Sequence, residues 1–432
     1  YFVILLFIYV EKASTQTDPM NCLPEEISSQ EHASSSCPFS ELSEEEMNAL
    51  PEVTVYVNIH YIKGPYGNFY PGNSTGDLKD GNYYASLLLN HANNDLDHLI
   101  PSPVGISHKL GDAKINYKLY SNPNNTSDVN GGIWYWNQEP TSFPYANVMN
   151  IVLFNGGPND ELKGTACGRF DCCSRLSMTG AYYHVWVNPI QPKFGHWAFA
   201  QLLNHEFFHS LGLCHSFYIN NECNDLNPAA ECGCGNGASG CGNGGFGCCS
   251  WNSNSTNIMN YAPSLKSLSL CQWGTAYNNA ISKNCPFLNF CETKSEPIII
   301  EAGTQVIWDH LMIINRPVIL MPSSSLTITC EARFSTEAYV EVRRGAKLTV
   351  DGALLTNLCP DNFWPGIQVW GNPGKLQPDP SNGITGINDA GIVQVINGST
   401  IQHARTAIST GAWALGGSNA WANFGGAVYC EN

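Results

Sequence analysis

Positive charge is scarce in this chain. Its 432 residues hold 20 Lys and Arg against 36 Asp and Glu, a formal net charge of −16. A surface of that sign repels polyanions, which argues against nucleic acid or an anionic membrane as partner. Long apolar runs are also lacking. The opening run, YFVILLFIYV, has ten residues, about half of what a membrane-spanning helix needs, so no transmembrane anchor is expected. No initiator Met and no basic residue precede it. Residues 1–17 are therefore read as the remnant of a signal peptide, cleaved near Ala13 to Thr17, and a secreted, extracellular protein is expected. A short buried strand is the alternative.

Cysteine is abundant instead. There are 18, of which 13 lie between Cys167 and Cys291. So many thiols do not suit a reducing cytosol unless they bind metal. Because 13 is odd, at least one of them must pair outside that region or stay unpaired. Residues 18–50 are polar and acidic, a pro-segment or linker. A Cys here could hold a metal site latent; a Cys22–Cys37 disulfide is the plainer reading. The Gly- and Cys-rich stretch Cys223 to Cys249 has little to bury and reads as a disulfide-stapled loop, with a second, structural zinc as the alternative. Cys214 is expected to be a disulfide partner.

From Pro51 the chain looks folded. VTVYVNIHYI alternates and is β-rich, a strand. GNYYASLLLNHANNDLDHL has helical spacing at Tyr84, Leu87 and Leu88. KINYKLY, NVMNIVLFN and AYYHVWVNP read as further strands, and a long helix follows. This order predicts an α/β layout over residues 51–293, with a mixed sheet covered by helices. After Ser295 the texture changes. PIIIEAGTQVIW, PVILMPSSSLTIT and VEVRRGAKLTV share one template, and aligning Val306, Leu326 and Leu348 gives steps of 20 and 22 residues. That period predicts an all-β parallel solenoid over 296–432, with an immunoglobulin-like sandwich as the alternative.

The chemistry lies in NHEFFHSLGLCHSF, Asn204 to Phe217. His205 and His209, four apart on a helix, project from one face and can enter one zinc shell. Glu206 is placed to hold a water on that metal. Gly212 can end the helix by turning left-handed, which lets His215 supply a third nitrogen. Upstream, HWAFAQLLN is apolar nearly all round, so the helix should be buried. Histidines satisfied within a core are the plainer alternative. Five fixed identities over eleven positions, with NIMNYAPSL following, argue against it.

These residues resemble the metzincin clan of zinc endopeptidases. HEFFHSLGLCHSF, the Cys-bearing insert and NIMNY most resemble its pappalysin/cytophagalysin branch. The resemblance spans roughly residues 51 to 293 and departs from the branch in the Cys/Gly insert. It implies Zn2+ on His205, His209 and His215, with Glu206 as general base and then general acid. It also implies a hydrophobic floor at Met259, and Tyr261 as a hydrogen-bond donor to the tetrahedral intermediate. Protein or peptide substrates would pair with the strand AYYHVWVN.

Some members use Ca2+, for which Asp160, Glu161, Asp225 and Asn227 are loop candidates; their spacing matches no defined calcium loop. A different class stays open: an inactive scaffold in an adhesion or glycan-binding protein whose solenoid does the binding. His60, His91, His98, His108 and His184 are scattered singly and read as structural or exposed.

Overall fold

The computed structural model describes residues 50–64, 69–101, 111–145, 147–155, 163–166, 175–180, 196–217, 223, 225–227, 231, 254–262, 264–282, 285, 287–291, 294–359, 362–378, 387–411 and 422–431. Strand AYYHVWVN, the N-terminal segment, Asp160, Glu161, His108 and His184 lie outside them.

The first part is built around β1 (Val53–Ile62), which is buried along nearly its whole length. β2 (Ile115–Leu119) and then β3 (Ile133–Trp136) pair with one edge of β1, both parallel to it. β4 (Met149–Asn155) runs parallel along the other edge, and β6 (Arg175–Gly180) parallel to β4. β5 (Lys163–Ala166) closes the far edge antiparallel to β6. Two-residue β7 (Leu288–Asn289) returns antiparallel to β1. The sheet is mixed, as the sequence implied.

Its odd-numbered face, Val53, Val55, Val57, Ile59 and Tyr61, is buried, and Tyr61 donates through its hydroxyl to the Gly81 carbonyl of a helix. That helix, α1 (Gly81–Asp97), is capped by Asp80, whose carboxylate accepts from the amides of Asn82 and Tyr83. Leu88 and Tyr84 are buried along it, as the spacing predicted. The opposite face of β1 is dry too. Asn58 and His60 are fully buried there, His60 under the rings of Trp134, Trp136 and Phe143.

α2 (His196–Ser210) crosses α1, to which Asn204 donates at the Ala92 carbonyl. α3 (Leu270–Ser282) begins with a reciprocal capping box. The Ser269 hydroxyl accepts from the Gln272 amide at 3.1 Å, and the Gln272 side chain accepts from the Ser269 amide at 3.0 Å.

The second part is all parallel. β8 (Ile298–Ile300), β9 (Gln305–Trp308) and β10 (Met312–Ile314) form a three-sided rung. β11 (Val318–Leu320), β12 (Ser325–Ile328) and β13 (Ala332–Phe334) form the next, then β14 (Tyr339–Val342), β15 (Lys347–Asp351) and β16 (Leu354–Asn357). β17 (Trp364–Val369), β18 (Ile392–Ile396) and β19 (Thr400–Ile401) follow, and β20 (Ala404–Ser409) and β21 (Ala427–Cys430) lie on top. Like strands stack into three parallel sheets. Val306, Leu326 and Leu348 share one register, as the period predicted. An antiparallel sandwich is thereby excluded.

At the first corner of each of the three lower rungs a four-residue turn closes, with Thr304, Ser324 and Ala346 donating to Glu301, Met321 and Arg343. In the upper rungs the same corner carries long loops, between β17 and β18 and between β20 and β21. The Gly371 amide of one donates to the Asn423 carbonyl of the other, and Arg344 from the rung below reaches Gly371, Ala422 and Asn423.

Disulfides join Cys223 to Cys271 and, across the two parts, Cys291 to Cys359. Cys291 is thus a cysteine of the 167–291 region that pairs outside it. Among the described residues no helix is long and apolar enough to cross a membrane.

Candidate metal centre

α2 is buried on nearly every side, and His205, Glu206 and His209 lie within its buried stretch. Its end is a Schellman motif. Gly212 adopts φ 92°, the Leu213 amide donates to the Phe208 carbonyl, and the Gly212 amide donates to the His209 carbonyl. The chain reverses, and His215 comes back beside the helix. The glycine does there what its position in the sequence predicted.

The three imidazoles converge. His209 Nε2 is 3.0 Å from His205 Nε2 and 3.1 Å from His215 Nε2. All three ligand atoms lie within 4.8 Å of one another, and all three residues are buried. Backbone carbonyls set two of the tautomers. His205 Nδ1 sits 2.7 Å from the Ile258 carbonyl, and His209 Nδ1 sits 2.7 Å from the Leu213 carbonyl. A carbonyl only accepts, so both Nδ1 atoms carry hydrogen and both Nε2 atoms present lone pairs. Two lone pairs facing each other at that distance repel unless a cation lies between them. Bonds of about 2.05 Å at tetrahedral angles place zinc-bound nitrogens about 3.3 Å apart. The donor set, its spacing and its fixed tautomers fit Zn2+. The carbonyl partners are the outer shell that orients metal-binding histidines.

The turn after the helix completes the surroundings. Met259 is fully buried in a turn closed by the Asn260 amide on the Asn257 carbonyl. Its own carbonyl accepts from the Ser216 amide at 2.9 Å. Tyr261 stands partly exposed, its ring centroid 4.7 Å from that of His215 and 5.8 Å from that of His205. Glu206, next to the first histidine, is buried against β5. A Cβ placed on Gly164 would meet Glu206 Oε1 at 2.2 Å and its Cγ at 2.6 Å.

All six residues singled out from the sequence, His205, Glu206, His209, His215, Met259 and Tyr261, gather at the end of α2. Sequence reasoning missed three neighbours. Gly164 carries no local signal. Asn260 stood inside NIMNY without a role. Glu231 was lost in the Cys-rich insert, yet it is fully buried beside the site, with Ser255, Ser216 and Asn260 all donating to its Oε2. Burial pushes its carboxyl above the usual range.

Cys223, Asp225 and Cys271 lie close together, but both sulfurs are spent in a disulfide, and Asp225 accepts from the Cys271 amide. Among the described residues no other group of three such side chains converges.

No known protein-family model matches the chain, and no curated protein does. Among solved structures, mature mirolysin of Tannerella forsythia, in complex with a cleaved peptide, is similar at 14% identity and a TM-score of 0.30. The match covers 53% of this chain and 90% of that one.

Proposed function

We propose that this chain is a secreted zinc-dependent endopeptidase of metzincin type, with a protease domain over residues 51–293 and a β-solenoid appended at 296–432. The observation that carries this reading is the convergence of three buried imidazole nitrogens, two of them locked as lone-pair donors by backbone carbonyls.

His205, His209 and His215 would hold the zinc as its three protein ligands. When bound there, zinc acts as a Lewis acid toward water and the scissile carbonyl. Glu206 follows His205 directly and takes the proton of the attacking water, then delivers it to the leaving amine. Its buried setting keeps bulk water from competing for that proton. Tyr261 stands beside His205 and His215, from where its hydroxyl would donate to the carbonyl oxygen as that atom gains charge. Met259 fixes the floor of the turn that carries Tyr261. Among the described residues β5 is the outermost strand of the sheet and lies against Glu206, so an extended peptide adding beside it would place its backbone next to the base.

Metal analysis of purified protein, paired with cleavage of a denatured protein substrate, tests the reading. One zinc per chain and chelator-sensitive cleavage are expected. Glu206→Gln should keep the zinc and lose at least about a hundredfold in kcat, the scale of a general base. Full activity in that variant, or absence of zinc from the wild type, would overturn the assignment.

A further inference from the structure

The Cys-rich insert has no part in the proposed chemistry, yet it delivers a buried carboxylate to the edge of the site. Its root is fastened. Cys223 is bridged to Cys271 at the start of α3, and Asp225 accepts from the Cys271 amide. Leu226 is buried, the Glu231 amide donates to the Asn227 carbonyl, and Glu231 itself is fully buried.

What it meets there is specific. Glu231 Oε2 accepts from Ser216 Oγ at 3.1 Å and from Asn260 Nδ2 at 2.8 Å, and Ser255 Oγ donates to the same atom. Asn260 Nδ2 also lies 3.1 Å from the Glu231 carbonyl. Ser216 follows His215, and Asn260 follows Met259. The Asn260 side-chain oxygen in turn accepts from the Tyr261 amide at 2.7 Å. One carboxylate therefore ties together the arm that carries His215 and the turn that carries Met259 and Tyr261. His205 and His209 sit on a rigid helix, whereas His215 sits on irregular chain and depends on such ties for its position.

We propose that Glu231 is a positioning residue for the metal site, the strut through which the insert holds His215 and Tyr261 in place. This rests on the zinc reading above. Outer-shell partners of metal ligands typically contribute about 10- to 100-fold to metal affinity.

The test uses the full chain, stripped of metal and titrated with Zn2+ against a competing chromogenic chelator. Wild type, Glu231→Ala, Glu231→Gln and His215→Ala are compared. Glu231→Ala should bind zinc about 10- to 100-fold more weakly and release it faster. Glu231→Gln keeps an acceptor oxygen for the serines and should recover most of the affinity, which a mere loss of fold stability would not produce. Glu231→Ala that is folded by circular dichroism and binds zinc like wild type overturns the proposal. Should Glu231→Ala fail to fold, Ser216→Ala removes the side-chain tie of Glu231 to the His215 arm, along with the 3.3 Å contact from Asn260 Nδ2 to Ser216 Oγ. Faster zinc release is expected from it, and an unchanged rate again overturns the proposal. If His215→Ala weakens zinc while Glu231→Ala does not, only this inference falls. If wild type binds no zinc, the zinc reading falls with it.

Discussion

At Gly164 a single methyl group is enough to disturb the site. The strand passes so close to Glu206 that an added Cβ would overlap its carboxylate and stem. Gly164→Ala should therefore keep its zinc while kcat falls about a hundredfold, since displacement of a reacting group by about 1 Å costs on that order. Metal analysis beside steady-state kinetics checks this, and wild-type kcat would contradict it. His60 governs stability rather than chemistry. Burial lowers its imidazole from 6.5 to about 4, against the partial support of Asn150. The unfolded chain takes up this proton near pH 6.5 and the folded chain only near pH 4. Stability is fully present above pH 6.5 and is lost as pH falls from about 6.5 to about 4, by about 3 kcal/mol in total. Denaturant midpoints between pH 7 and 4 should show that slope, and His60→Phe should lack it. At this scale the sequence revealed the residues whose spacing expresses one chemical need, the histidines, Glu206 and Gly212. Gly164 and Glu231 were hidden, because their roles come from contacts between segments far apart in the chain.

Among the elements, the solenoid was the most legible, because a repeat states its own register. Its corners show the same regularity. Gly303 and Gly345 take φ of 79° and 80° at the third position of their turns, and Ser323 takes φ of 68° at the equivalent place. That position of a type II turn requires positive φ, and Pro322 before Ser323 suits the second position. A serine held left-handed is strained by about 1 kcal/mol, so Ser323→Gly should raise stability by up to that amount. Chemical denaturation of the two proteins decides it; a loss of stability would contradict the turn assignment. In the first part, β1, β2, β4 and α1 were legible from alternation, apolar runs and helical spacing. β3, β5 and β6 were not, being short and without a period that local sequence reveals. α3 was missed although its signal was present: Ser269 and Gln272 have capping-box spacing, but they lie just beyond NIMNYAPSL, in a stretch to which no element was assigned.

Over the whole molecule, one apolar cluster runs from Leu50 through the α/β sheet into the rungs as far as Val393. Cys291–Cys359 spans a sequence separation of 68 residues and binds the two parts covalently. Replacing both cysteines with serine should cost about 2–4 kcal/mol, read as a lower melting temperature under oxidising conditions, with no change under reducing ones. An unchanged melting temperature would show that the shared core alone joins the parts. The long loops of the upper rungs leave from one corner and rest on each other through Gly371, Asn423 and Arg344. Insertions that lie far apart in the sequence thus accumulate on a single flank, while the other two corners keep their short links and the stack keeps its register. Such a body separates what must stay constant from what is at liberty to vary: a lineage could rewrite that flank repeatedly without renegotiating the column that supports it.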